Sequence, residues 1–316
     1  MSQHEMGYLR VERAGPLAML QDAGRFGTRR LGVTQGGPAD LHAFAWANRL
    51  LGNAWDAAAL EISLGGLVLV AERTTRLALG GADLQASVEG APVAPWCVVT
   101  LREGQRLSFA TPSSGLRSYL AVPGGFRGEP VLGSLACVAR EGLGGHAGDG
   151  RALATGDRLG FGLDAGARDA PEGTVPEGER HDYRRPARLA LIPGAQVADF
   201  SGSSLFRAFN EAWRVDTRAD RMGVRLRGPA LSCRLSGLIS EGIALGAVQV
   251  PPDGQPIALL NDRQTIGGYP RLGTLTPLAC ARLAQCAPGQ EVQLVATPLG
   301  QAQARHRRFL ATMGAG

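Results

Sequence analysis

Short β-prone runs, each cut off by a Gly, Pro or Ser turn, recur along most of this chain and restrict it to a fold of many brief strands. Leu77-Ala78-Leu79, Val98-Val99-Thr100-Leu101, Arg106-Leu107-Ser108-Phe109 and Tyr119-Leu120-Ala121-Val122 are such runs. Their spacing of roughly 8–12 residues is that of a barrel or a sandwich. One helix interrupts them: Leu41 to Leu51 carries helical periodicity, Asp40 is placed to cap it and Gly52 stops it. The style resumes with a strand over Arg188–Pro193 and a helix predicted over Ser203–Trp213. Strands follow near 224–232, 243–250, 257–261 and 291–296. The shared strand-helix-strand rhythm allows two similar barrels. The predicted class is mainly β: two β-rich subdomains with a few short helices.

A composition shift divides the two. Residues 164–188 are polar, rich in Gly, Pro, Ala and charge, and nearly free of large aliphatics. They read as a linker or surface excursion between an N-terminal subdomain at 6–163 and a C-terminal one at 189–300, with 301–316 as a basic tail.

The chain contains no lysine, so all 33 basic residues are Arg. A Walker A loop, a Schiff-base enzyme, a protein kinase and a covalently biotinylated carrier each need a lysine, and all four are excluded. The net charge of +5 is spread among acids, with only Arg305-His306-Arg307-Arg308 as a basic run, so nucleic acid is not an expected partner. No run of about 18 apolar residues predicts a membrane helix, and MSQHEMGYLR has no apolar secretory core. Five scattered Cys, an odd number, suit free thiols in a reducing cytoplasm, the expected location.

Metal signatures are missing too. Cys280 and Cys286 are spaced off a common helix face, and the five His are isolated from one another, so no metal is predicted. The glycine-rich stretch Gly142 to Gly150 follows no strand-to-helix pattern. It reads as a flexible loop or as a cradle of backbone N–H groups for phosphate.

The richest segment is Glu241 to Arg271. Val248–Val250 and Ile257–Leu260 flank Pro251-Pro252-Asp253-Gly254, a turn in which proline presets one dihedral and glycine permits the other. Pairing Val250 with Ile257 sets Glu241 opposite Ile266 and Leu245 opposite Asp262. Alternation then gathers Glu241, Asp262 and Gln264 on one face at the open end of a hairpin. Beside Arg263 or Arg271 this is either a set of internal salt bridges or a polar pocket. Such a pocket has donors in Gln264, Arg263, Thr265 and Tyr269 and acceptors in the carboxylates, which suits a small amide or lactam.

Ser240-Glu241-Gly242, Gly246-Ala247-Val248-Gln249-Val250-Pro251-Pro252-Asp253-Gly254-Gln255-Pro256-Ile257, Asp262-Arg263-Gln264-Thr265 and Gly267-Gly268-Tyr269-Pro270 together resemble a known family. It is the biotin-dependent carboxyltransferase/Kip-antagonist family, which includes the allophanate hydrolase subunit 2 and 5-oxoprolinase C-subunit proteins. Gln21-Asp22-Ala23-Gly24-Arg25-Phe26-Gly27, Gly36-Gly37-Pro38-Ala39-Asp40, Leu60-Glu61, Arg117 to Gly125 and Asp220 to Gly223 are similar to its other motifs. Ala39, Gly36 and Ile266 depart from its usual residues. The resemblance implies cyclophilin-like β-barrels and leaves three functions open. The first is one component of a multi-subunit, ATP-dependent 5-oxoprolinase. Its partners would be a Kip-inhibitor-like subunit together with a LamB/YcsF-like subunit, and ATP the cosubstrate. The second is half of a carboxyltransferase moving CO2 from biotin, held on a separate carrier, to urea or another amide. The third is a non-enzymatic antagonist of a kinase inhibitor. Under the first, Arg263 and Gln264 hold the lactam carbonyl, while Asp40, Glu241 and Asp262 are the acceptors or bases. Thr265, Tyr269, Arg271, Gln249 and Asn48 complete the substrate-binding set. Asp40 has the alternative role of helix cap alone.

Overall fold

The computed structural model describes residues 6–163, 173–235 and 237–314. Among these the chain forms two compact units. One takes in the chain up to Phe26 and Gly36–Asp182; the other takes in Gly27–Gln35 and Tyr183–Thr312.

The first unit is two antiparallel sheets with an apolar core between them. Its strands are β1 (Met6–Arg13), β2 (Leu17–Gln21), β3 (Ala59–Ser63), β4 (Val68–Ala71), β5 (Thr75–Asp83), β6 (Ser87–Val88), β7 (Ala91–Pro92), β8 (Cys97–Leu101), β9 (Arg106–Ser108), β10 (Ser114–Ala121) and β11 (Arg158–Gly162). They pair in the orders β11-β1-β4-β9-β6-β7 and β2-β3-β10-β5-β8. Leu9, Val11, Leu69 and Phe161 of one sheet meet Leu20, Leu60, Leu79 and Leu120 of the other. This unit is therefore a pair of packed sheets and not the barrel the rhythm allowed.

Helix α1 (Leu41–Leu50) lies on the outer face of the second sheet, where Ala43 and Ala47 approach β5 at Gly80. A Cβ at Gly80 would stand 2.6 Å from the Ala43 carbonyl, so only glycine lets the helix come this close. With both faces covered, every residue of β3 is buried, and the acid Glu61 sits between the apolar Leu60 and Ile62. Residues 164–172 of the expected linker lie outside the described residues. Beyond them Thr174 bridges to Cys97 and the Val175 N–H donates to Trp96 O at 3.0 Å, so this stretch extends the β8 edge.

The second unit is a closed barrel. Its strands are β12 (Ala187–Pro193), β13 (Trp213–Val215), β14 (Gly223–Arg227), β16 (Ala247–Gln249), β17 (Ile257–Leu259), β19 (Arg271–Leu275) and β20 (Glu291–Ala296), and β12 and β20 close it in parallel. A two-residue ladder of β15 (Glu241–Gly242) and β18 (Ile266–Gly267) forms a flap beside it. Helices α2 (Gly202–Asn210), α3 (Pro277–Leu283) and α4 (Leu299–Met313) complete the chain. Helix α2 ends before Trp213, which is wholly buried in β13 and donates its indole N–H to Ala208 O at 3.1 Å. The expected basic tail is largely α4.

The hairpin exists, but its expected register does not. Gln249, not Val250, faces Ile257, and Glu241 faces Gly267. Val250 turns away because its N–H donates to Pro270 O at 2.8 Å, while a register shift between Val248 and Gln249 bends β16 against β19. The two ends of the hairpin slip in opposite directions, and Asp262 lies in the connection after β17, outside both ladders, so strand alternation does not pair it with Glu241.

Candidate active site

In the barrel unit, the loop after β17 carries Asp262, Arg263, Gln264 and Thr265. Asp262 is buried and accepts from Arg221 Nε at 2.8 Å and Nη2 at 3.0 Å, a bidentate pair with neither partner open to water. Its own N–H donates to Arg221 O at 2.9 Å, so Asp262 ties this loop to the Arg221 turn. Glu241 is exposed on the flap and is bonded by Arg271, whose Nη1 also donates to Gly242 O at 3.2 Å. The two acids predicted to work together thus serve two different arginines.

Arg263 is buried, with Nε on Ile243 O at 3.2 Å and Nη1 on Leu260 O at 3.1 Å. Burial first, and then the nearby charge of Arg29, bring its pKa down to about 10. Arg29, in a 3-10 turn at Arg29–Leu31, donates from Nη2 to Ile243 O at 2.6 Å and Thr265 O at 3.1 Å. No local sequence signal marks Arg29, because its partners lie more than two hundred residues away. The side chains of Gln264 and Thr265 are half-buried and make no hydrogen bond among the described residues, and Tyr269 is exposed. Gln249 is buried in β16 with its Nε2 unpartnered, next to Gly267. On the far side of the same hairpin, a cavity of about 400 Å³ lies between Ala230–Cys233 and the Pro251–Gly254 turn.

Asp40 and Asn48 belong to the other unit. Asp40 is fully buried and caps α1, accepting from the Ala43 N–H at 3.0 Å. Its own N–H donates to the Tyr119 hydroxyl at 2.7 Å, and that hydroxyl donates to Glu61 Oε2 at 2.7 Å. The Ala39 N–H also donates to Glu61 at 2.9 Å. Burial, then the Glu61 and Asp40 charges, push the Tyr119 phenol well above its ordinary pKa, so it stays a proton donor. Glu61 and Tyr119 were not predicted as site residues; the signal for them is an acid inside an apolar strand run. Asn48 donates to Ala57 O at 2.8 Å and accepts from Asn53 Nδ2 at 2.9 Å, which fixes the turn after α1.

The glycine-rich loop is folded on itself. The Gly145 N–H donates to Leu135 O and the Gly150 N–H to Gly144 O, both at 2.8 Å, so these amides are already used and do not point at a phosphate. Among the described residues no group of His, Cys, Asp and Glu could hold a metal ion, and no helix is long and apolar enough to cross a membrane.

The family model for the carboxyltransferase domain, subdomain A and B, matches residues 31–296, which runs from just before α1 through β20 and covers most of both units. The chain belongs to this family. It is 37% identical to the C subunit of 5-oxoprolinase from Escherichia coli strain K12 over 93% of both chains. It is 33% identical to the C subunit of 5-oxoprolinase from Haemophilus influenzae over 92% of both. Among solved structures it is similar to urea amidolyase of K. lactis, with a TM-score of 0.89 and 26% identity over 97% of this chain. There it spans only 20% of the longer polypeptide.

Proposed function

We propose that this carboxyltransferase-family chain is the C subunit of an ATP-dependent 5-oxoprolinase, opening 5-oxo-L-proline to L-glutamate together with its Kip-inhibitor-like and LamB/YcsF-like partners. The observation that carries the reading is the 37% identity to an E. coli protein of that name across 93% of both chains. The physical case starts from the substrate. A lactam carbonyl is a weak electrophile because the ring nitrogen donates into it. Activating its oxygen with ATP makes hydrolysis feasible, and donors around that oxygen stabilise the charge that develops. The free Gln264 amide and Thr265 hydroxyl supply donors beside the fixed Arg263, and exposed Glu241 supplies an acceptor for the ring N–H. Asp262 acts here as the clamp that positions the loop, and Asp40 acts through the Tyr119–Glu61 network. The nucleotide is bound without a Walker lysine, since the chain has none. The five free thiols support a cytoplasmic setting.

Reconstitution tests this. Purified chain with ATP and 5-oxo-L-proline is expected to release no glutamate until both partners are added. Turnover by the lone chain, or none with all three, removes the reading. The urea amidolyase match favours one second reading, a carboxyltransferase half acting on urea. That reading predicts urea-dependent consumption of carboxybiotin, with no need for the LamB/YcsF-like partner.

A further inference from the structure

Two guanidinium groups converge on one carbonyl in the barrel unit. Ile243 O accepts from Arg29 Nη2 at 2.6 Å and from Arg263 Nε at 3.2 Å. Both arginines also reach other carbonyls, Arg29 those of Thr265 and Gln264 and Arg263 that of Leu260. Neither meets a carboxylate within ion-pair distance among the described residues. The two nearby acids are already used, Asp262 by Arg221 and Glu241 by Arg271. Carbonyl oxygens carry only partial charge, so they orient the two cations without neutralising them. Burial lowers the pKa of both, and for Arg263 the Arg29 charge adds to it. Arg29 Nη1 is buried and has no acceptor. The Gln264 amide and Thr265 hydroxyl, on the residues whose carbonyls Arg29 holds, are also unused.

A full positive charge held in place with an unsatisfied N–H, beside a second one, lacks a counter-ion that forks of this shape take well: a planar or tetrahedral oxyanion. We propose that Arg29 and Arg263 form an oxyanion-binding site, next to the Gln264 and Thr265 donors assigned to the lactam carbonyl. The anion is either the carboxylate of the amide substrate or a phosphoryl group. Naming the first source rests on the 5-oxoprolinase reading; the site itself does not.

The test uses the full chain and small-molecule probes, with ionic strength held constant by sodium chloride. Melting is followed against inorganic phosphate, 5-oxo-L-proline and 2-pyrrolidinone, which is the same lactam without its carboxylate. At about a hundred times the dissociation constant, a bound anion raises the melting temperature by roughly 5–10 °C. A saturable shift with phosphate alone assigns the phosphoryl source, and with 5-oxo-L-proline alone the carboxylate. In either case Arg29→Gln is expected to weaken binding at least tenfold against its own baseline, and Arg29→Lys less. A shift for neither anion overturns the proposal. So does an unchanged dissociation constant in Arg29→Gln, or 2-pyrrolidinone matching 5-oxo-L-proline while phosphate does nothing. If reconstituted turnover fails but anion binding survives, only the 5-oxoprolinase reading falls; if turnover stands and anion binding is absent, only the site falls.

Discussion

His42 on α1 should make the first unit acid-sensitive. Its ring is buried, stacks on His181 with centroids 4.1 Å apart and meets the edge of Trp96 at 5.7 Å. Burial, and then His181, lower its pKa from 6.5 to about 3. The folded state therefore refuses a proton that the unfolded chain accepts below about pH 6.5. Between those two pKa values the unfolded state binds more protons, so stability rises with pH and is lost as pH falls. A tenfold change in proton affinity is worth about 1.36 kcal/mol, which gives a loss of about 2 kcal/mol at pH 5 and about 3 kcal/mol at pH 4. His42→Phe keeps an aromatic ring for the stack and removes the titration. Urea unfolding of both proteins at pH 7, 6, 5 and 4 measures the difference, and Trp46, Trp55 and Trp96 make fluorescence report mainly on this unit. The wild type should lose about 2 kcal/mol relative to the variant between pH 7 and 5. Parallel pH profiles would refute the reasoning.

Three further outcomes are expected. Asp262→Ala leaves Arg221 buried without its carboxylate and should cost about 3–5 kcal/mol in denaturant unfolding. Replacing the pair together by Leu and Met should restore most of that loss. Glu241→Gln removes an exposed ion pair, so unfolding should change by under about 1 kcal/mol while turnover of the assembled complex falls; a large loss of stability with normal specific activity would make Glu241 structural. Tyr119→Phe removes one hydrogen bond from buried Glu61 and takes the hydroxyl acceptor from the Asp40 N–H, and should cost about 1–3 kcal/mol by thermal or chemical melting.

Local chemistry was legible in the chain, and long-range pairing was not. The α1 cap at Asp40, the breaks after each short strand and the Pro251–Gly254 turn all follow from neighbouring residues. The hairpin register failed because Val250 spends its N–H on Pro270, a partner outside the hairpin. The Asp262 partner was out of reach of local reading because Arg221, from another strand connection, bonds both carboxylate oxygens. Arg29 was invisible for the same reason: residues 27–35 belong to a unit whose remainder starts at Tyr183. The Glu61 acid did stand out inside β3, but period-2 reading does not say that a helix covers that face.

The parallel seam between β12 and β20 has a consequence for how the protein is made. Ala187 pairs with Val292 and Leu191 with Ala296, so the first barrel strand to leave the ribosome must wait for roughly a hundred more residues before its last neighbour exists. Until then both strands next to the seam present open edges, which invite pairing with other nascent chains. Emergence of β20, not of the first strands, is then the event that commits this half of the molecule, and slowing translation ahead of Glu291 should lengthen the interval in which chaperones protect it.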